Sequence, residues 1–294
     1  MNKMLSQLRQ AMASFGIDAY IIVNTDPHGS EYIPASQMAV KALSGFTGDN
    51  AVAVVAGTFA GIWTDSRFFV SGALELQDSG FQLMKDEQGS HSGFIDFLCQ
   101  LPKGSVAALD GTLISQRDFC QMKRKLDLAG IAVRNDVDLV PQFWHNRPDS
   151  VDTDIFVIGD SYAGQAASGK ISSIAAQMET MEISHLIITR LDEIAWLLNV
   201  RASDIEYNPL VISYLIVTQE DVRWFVRDSY DDIFLALSEI EGCLFCDPST
   251  LNYHIYSIID KSRLVTGTSP VKLRKALKNP VELEKMRAIH VEDG

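Results

Sequence analysis

An α/β fold built as two successive units, each with a mostly parallel or mixed sheet flanked by helices, is predicted by three features of the sequence. Short apolar runs rich in β-forming residues alternate with stretches of helical periodicity, this alternation occurs twice in blocks of similar size, and Asn146-Arg-Pro-Asp-Ser150 separates the blocks as a linker. The chain exceeds the roughly 100 to 200 residues of a usual domain, and with 294 residues and 47% hydrophobic content it can supply two cores. Units at 1–146 and 147–278 follow, and 279–294 is left as the start of a further helix.

In the first block, Met1, Leu5, Leu8, Met12 and Phe15 fall at helical spacing and Gly16 ends that helix. A buried strand at 19–23 leads into a turn-rich stretch at 24–34. Ser44-Gly-Phe-Thr-Gly48 reads as a tight turn before a strand at 51–56, and 62–69 passes from strand to helix, with Asp65 as the cap of a helix running through Leu76. A strand at 81–85, a polar loop at 86–92, helices at 94–99 and 116–128, and strands at 106–109 and 131–134 complete a βαβα succession that implies a largely parallel sheet. The segment 139–144 closes the block.

The second block repeats the scheme. A helix at 166–182 and a strand at 186–189 precede the segment 191–209, a strand-to-helix-to-strand hinge. There Asp192 is placed to cap a short helix whose Ile194, Ala195, Leu197 and Leu198 face inward, and Asn208-Pro209 releases the chain as a strand. Runs at 210–217 and 222–226 read as a hairpin. A helix at 231–237, a strand at 243–246 and a helix from about Ser249 follow. Asn279-Pro280-Val-Glu282 combines an Asn cap, Pro at the first position and Glu at the third, a strong helix start.

Charge and composition exclude several classes. A net charge of −13 opposes nucleic-acid backbones and anionic membranes as partners, leaving neutral or cationic ones. The amino terminus turns polar before a signal-peptide core can form. The longest apolar region, 51–63, falls well short of the roughly 20 residues that span a bilayer, so a cytoplasmic protein is expected. Cys99, Cys120, Cys243 and Cys246 are too few for a disulfide framework, which agrees with a reducing compartment.

Most candidate sites have an ordinary structural reading that fits better. Cys243-Leu-Phe-Cys246 has redox or zinc spacing but lies in an apolar strand with no second pair. His28 and Glu31 lack a third metal ligand nearby, and the two glycines of 44–48 lack the Lys-Ser/Thr of a P-loop. Lys261, Arg263, Lys272, Arg274, Lys275 and Lys278 read as helix-end cations, with a docking face for an acidic neighbour as the sharper alternative. Arg67 breaks a local rule, since a cation in a first helical turn opposes the helix dipole. Its local explanation is an ion pair with Asp65.

Five segments, taken in order, resemble one family. They are His28-Gly-Ser-Glu-Tyr32, Ser44-Gly-Phe-Thr-Gly48, Trp63-Thr-Asp-Ser-Arg67-Phe68, the run from Asp192 through Trp196 and Arg201 to Asp204 followed by Asn208-Pro209, and Lys278-Asn-Pro-Val-Glu-Leu-Glu-Lys-Met286-Arg. Together they are similar to Xaa-Pro aminopeptidase, also called aminopeptidase P, across essentially the whole chain. The resemblance implies two creatinase-like α/β domains ahead of a third, "pita-bread" domain in which two Asp, one His and two Glu hold two divalent metal ions, usually manganese. It implies that 279–294 leads into that domain, that this chain is truncated before it, and that no catalytic or metal-binding residue can be assigned here. It further implies a homodimer, peptides with proline at the second position as substrates, and a substrate contact from Arg67, reaching toward the active site of a partner subunit. Asp192, Glu193, Arg201 and Asp204 are then caps and ion pairs. A competing reading is a non-catalytic creatinase-like binding or dimerisation module. Prolidase and creatinase themselves usually have only one such leading domain.

Overall fold

Sequence periodicity becomes two large mixed sheets in the computed structural model, which describes residues 2–86 and 92–294. The chain separates into two units, Met1–Ser150 with Asn252–His254 and Val151–Leu251 with Ile255–Gly294. Of the loop expected at 86–92, residues 87–91 lie outside the described residues.

Unit 1 contains α1 (Lys3–Phe15), β1 (Ala19–Val23), α2 (Ala39–Ser44), β2 (Ala51–Ala56), β3 (Phe59–Thr64), α3 (Phe69–Glu75), β4 (Gln82–Lys85), α4 (Gly93–Leu98), β5 (Val106–Ala108), α5 (Gln116–Ala129), β6 (Ala132–Arg134) and α6 (Val140–Phe143). Its sheet runs β4-β3-β2-β1-β5-β6. The largely parallel sheet expected for this block contains one reversed strand: β2 pairs antiparallel with both β1 and β3. A two-residue turn at Gly57-Thr58 makes that hairpin, with Gly57 at φ +55°, where a Cβ would be strained. The strands expected at 51–56 and from 62 are the two arms of this hairpin, whose pairing the short gap between them did not announce. Both faces of the sheet are covered, so β1 and β2 are apolar throughout rather than alternating. Tyr20 and Ile22 pack on one side with Leu5, Leu8 and Met12 of α1 and Phe143 of α6. Ala19 and Ile21 face Leu98 of α4 and Phe119, Met122 and Leu126 of α5 on the other.

Unit 2 adds β7 (Phe156–Val157), α7 (Asp160–Ala163), α8 (Ala167–Thr180), β8 (His185–Ile188), α9 (Leu191–Leu198), β9 (Val200–Arg201), β10 (Ser213–Val217), β11 (Val222–Val226), α10 (Asp232–Glu239), β12 (Leu244–Cys246), α11 (Tyr253–Ile258), β13 (Leu264–Thr266), α12 (Pro270–Ala276) and α13 (Pro280–Asp293). Its main sheet runs β11-β10-β8-β12-β13, and here β10 is the reversed strand. Ile187, Tyr214 and Ile216 face Ile233 of α10 and Ile255 of α11, whereas Leu186, Ile188, Leu215 and Val217 face Ile174 of α8, Ile194 and Leu197 of α9, and Val271 of α12. The order β3-β2-β1-β5-β6 of unit 1 thus recurs as β11-β10-β8-β12-β13, with β4 as an extra edge strand. The helix expected from about Ser249 begins instead at Tyr253. Asp247 delays it, accepting from the Ser249 amide at 2.9 Å and hydroxyl at 2.6 Å in a local turn.

Candidate functional site

Arg67 stands at the carboxyl-terminal edge of the unit 1 sheet, where β1, β3 and β4, all parallel, deliver their following loops. The helix expected from Asp65 through Leu76 is divided: Ser66–Phe68 form a 3₁₀ turn, and α3 follows. Asp65 is the cap, accepting from the Arg67 amide at 3.0 Å. It also holds the guanidinium through Nε at 3.0 Å and Nη2 at 2.8 Å. Asp49 adds a second carboxylate, 3.2 Å from Nη2. The local explanation for the awkward cation, a pair with Asp65, is therefore what the geometry contains. Even so, the Arg67 side chain stays 58% exposed, and Nη1 has only a long 3.5 Å approach to Asp49. The Arg67 bond is the main cause that keeps the Asp65 carboxyl well below the usual carboxylate range, and Asp65 in turn raises the guanidinium above its own.

Hairpin register explains why these groups meet. Ala51 opposes Thr64, which brings Asn50 beside Asp65, and the Asn50 amide donates to Asp65 Oδ2 at 2.6 Å. Sequence reasoning missed Asp49 and Asn50 because it did not pair the strands on either side of Gly57-Thr58 as a hairpin. With that turn placed, residues 50 and 65 fall opposite each other by counting. Gly48 is needed here: a Cβ would lie 2.5 Å from the Phe46 ring, which packs edge-on to Phe68 at 5.9 Å. Thr47 ties the same loop to α3 through Glu75, at 3.0 Å from its amide and 2.5 Å from its hydroxyl. Val70 and Leu74 of α3, the helix that follows, are exposed.

Unit 2 carries an arginine at the same topological place. Arg227 opens the 3₁₀ turn after β11 as Arg67 sits in the turn after β3. The two environments differ. Arg227 makes a fork to Asp204 at 2.7 and 3.0 Å, with Asp152 at 2.9 Å and the Thr153 carbonyl at 2.5 Å, and Asp204 has no exposed side-chain surface. It does so at φ +58°, a strained conformation for a non-glycine residue that the network holds in place. One arginine is consumed by structure, and the other keeps an open edge.

The segment 191–209 is structural in detail. Asp192 is not the cap of α9, as expected, but lies in its first turn and pairs with Arg190 at 3.4 Å and with Lys275. Arg190, still extended, takes the cap position. The helix ends before Asn208-Pro209, at Asn199 in the left-handed conformation. Arg201 donates to the Ala195 and Val200 carbonyls, both at 2.8 Å. Glu193 is buried, 2.5 Å from the Ser269 hydroxyl, and burial pushes its pKa up against the Ser269 bond. A raised carboxyl pKa means the fold favours the protonated form, so this stability is full below about pH 4.3, the unfolded value, and is lost as pH rises through the folded pKa. Glu193→Gln is therefore expected to melt above the wild type at pH 7.5, with the advantage shrinking toward pH 4. Calorimetry showing a lower melting temperature at pH 7.5 would refute this.

Other candidates resolve to packing. His28 is buried while Glu31 is exposed, and the loop is held by Asp26, which accepts from the His28 and Ser30 amides at 3.0 and 2.9 Å. Cys243 and Cys246 are unbridged, and burial pushes the Cys246 thiol up to about 12. Of the basic run, Arg274 and Lys275 close α12, Arg274 bonds Gln177 and the Ser173 carbonyl, and Arg263 pairs with Asp260. Among the described residues, no three His, Cys, Asp or Glu side chains are grouped to hold a metal ion, so the residues present do not fit a two-metal centre. No described helix is long and apolar enough to cross a membrane.

Residues 146–282 match the creatinase/prolidase N-terminal domain. Over 94% of its length the chain is 31% identical to an Xaa-Pro aminopeptidase of Caenorhabditis elegans, covering 50% of that protein. It is 30% identical to an Xaa-Pro aminopeptidase of Drosophila melanogaster over 99% of its length, covering 53% of the relative. The crystal structure of an X-prolyl aminopeptidase from C. elegans, described as a cytosolic enzyme with a di-nuclear active site, superposes on 97% of this chain and 53% of its own, with a TM-score of 0.89 at 29% identity. The chain spans about half the length of the relatives it matches.

Proposed function

We propose, on the premise that residues 146–282 are a creatinase/prolidase N-terminal domain in a chain homologous to Xaa-Pro aminopeptidases, that this chain belongs to a cytosolic metalloaminopeptidase that removes an N-terminal residue preceding proline. The observation that carries the reading is similarity from end to end, with a TM-score of 0.89 to an enzyme that has a di-nuclear active site. In this reading 1–146 and 147–278 are two creatinase-like domains and 279–294 leads into the domain that binds two divalent metals, with manganese as the metal. The enzyme is a homodimer, and the chemistry lies outside these residues.

A proline-directed site is chemically needed because the bond before proline is a tertiary amide. The ring fixes the backbone and removes the N–H that an ordinary peptidase grips. Bound metals would supply an activated hydroxide and stabilise the oxyanion. This chain's own contribution is Arg67. Its open edge offers charge-assisted donors to a peptide carbonyl or carboxylate, while Asp65 and Asp49 hold the guanidinium in orientation.

The test is an assay of the longer protein and of the 294-residue chain on an Arg-Pro-Pro peptide, with manganese and after chelation. The longer protein is expected to release arginine only with metal, and the 294-residue chain to release none. Release by the 294-residue chain, or none by the metal-loaded longer protein, would overturn the reading.

A further inference from the structure

Asn279-Pro280-Val281-Glu282 could start a helix anywhere, yet in this fold the first turn of α13 is tied to the rest of unit 2 by the Trp196 side chain of α9 and the Ala163 carbonyl of α7. The reciprocal cap is complete: Asn279 Oδ1 accepts from the Glu282 amide at 3.0 Å, and Glu282 Oε2 accepts from the Asn279 amide at 2.8 Å. Glu282 has a second oxygen, and the Trp196 indole N–H donates to it at 3.1 Å. The Asn279 amide group donates to the Ala163 carbonyl at 2.8 Å. Gly164 follows at φ +69°, and a Cβ there would collide with the Asn279 side chain.

Trp196 is itself held from behind. Lys170, 2% exposed, places its ammonium 4.4 Å from the centre of the indole ring and donates to the Trp196 carbonyl at 2.8 Å and to Asn199 Oδ1 at 2.7 Å. Asn199 donates onward to the Gln165 carbonyl at 2.9 Å. The arrangement is a line of cation, indole and carboxylate. A cation over the ring face draws electron density from the indole and makes its N–H a stronger donor to Glu282. Such a buried cation is costly to place, and here three partners offset the cost.

Beyond this turn α13 has no buried residue. A helix without a buried face takes its direction from its attachments rather than from packing. We propose that Trp196, backed by Lys170 and Asn199, is a positioning residue that fixes the direction in which α13 leaves unit 2 and thereby aims the chain that follows. The fixing of α13 stands on this geometry alone; the aiming rests on the reading that α13 leads into a metal-binding domain.

Nuclear magnetic resonance on the 294-residue chain tests the fixing. The Trp196 indole proton is expected downfield of a free indole and to move upfield in Glu282→Ala. In Trp196→Phe, exchange of the Glu282 and Leu283 amides should accelerate roughly tenfold, the scale of one hydrogen bond, while β8 and β10 amides stay unchanged. Lys170→Met should act in the same direction, and Gly164→Ala should do so from the other side of the cap. Trp224→Phe, at an indole whose buried N–H finds no hydrogen-bond partner among the described residues, is the control and should leave α13 unaltered. Unchanged exchange at 282 and 283 in Trp196→Phe, or an acceleration spread evenly over the sheet, would overturn the proposal. In the longer protein, Trp196→Phe should lower kcat with metal content and KM preserved. An unaltered kcat would remove the aiming role. If the longer protein hydrolyses no peptide while the exchange effect persists, the attachment stands and the functional reading fails.

Discussion

Arg67→Ala in the longer protein is expected to lower kcat/KM on Xaa-Pro peptides by roughly 10- to 100-fold, the range for losing charge-assisted hydrogen bonds. Metal content should not change, because among the described residues no three His, Cys, Asp or Glu side chains, Asp65 and Asp49 beside Arg67 included, are grouped to hold a metal ion. Folding should barely respond: the side chain is 58% exposed, and exposed ion pairs contribute little. Arg67→Lys should recover only part of the loss, since an ammonium lacks the planar fork that Asp65 orients through Nε and Nη2. Steady-state kinetics with a dipeptide and a longer Xaa-Pro peptide would check this. Unaltered kinetics on both would sink the substrate role and leave Arg67 a surface ion pair.

The opposite outcome is expected at the corresponding arginine of unit 2. Asp204→Ala should destabilise the fold by about 3–5 kcal/mol, the typical cost of removing one partner of a buried ion pair, and lower the melting temperature by on the order of 10 °C. Asp204 accepts from Arg227 twice, from the Thr153 amide and hydroxyl at 3.1 and 2.8 Å, and from the Ile212 amide at 3.0 Å. Burial opposes its ionisation, but the Arg227 fork and these donors outweigh burial and hold its pKa below the usual carboxylate value. A depressed carboxyl pKa stabilises the fold above the unfolded value, about 3.9, and this contribution is lost as pH falls through the folded pKa. The wild-type melting temperature should therefore drop on acidification below pH 4, with Asp204→Ala showing a smaller drop. Equal melting temperatures for variant and wild type at pH 7 would refute the network's role.

Much of the architecture was legible residue by residue. The α1 helix with its Gly16 stop, β1, the β10–β11 hairpin, α5 with its Gly130 stop and the cap of α13 all follow from local periodicity and capping chemistry. What failed was also local in cause. The strands ending at 56 and beginning at 62 were not joined as a hairpin across Gly57-Thr58, so the reversed strand β2 was not singled out in the largely parallel sheet expected there. Arg190 stays extended at the cap position, so Asp192 became a first-turn anion instead of a cap.

The sequence by itself determined the two-block α/β plan, the family resemblance and the singling out of Arg67, because strand and helix periods, caps and turn residues act over a few residues. Only the tertiary structure decided what each charged group is for. Arg67 and Arg227 occupy the same kind of turn after the same strand of a repeated sheet, yet one retains an open edge and the other is consumed by a buried carboxylate 23 residues away. Trp196 meets Glu282 across 86 residues. Burial and long-range pairing set those outcomes, and neither is encoded in the spacing of neighbouring residues, since desolvation and charge partners depend on which distant segments the fold brings together.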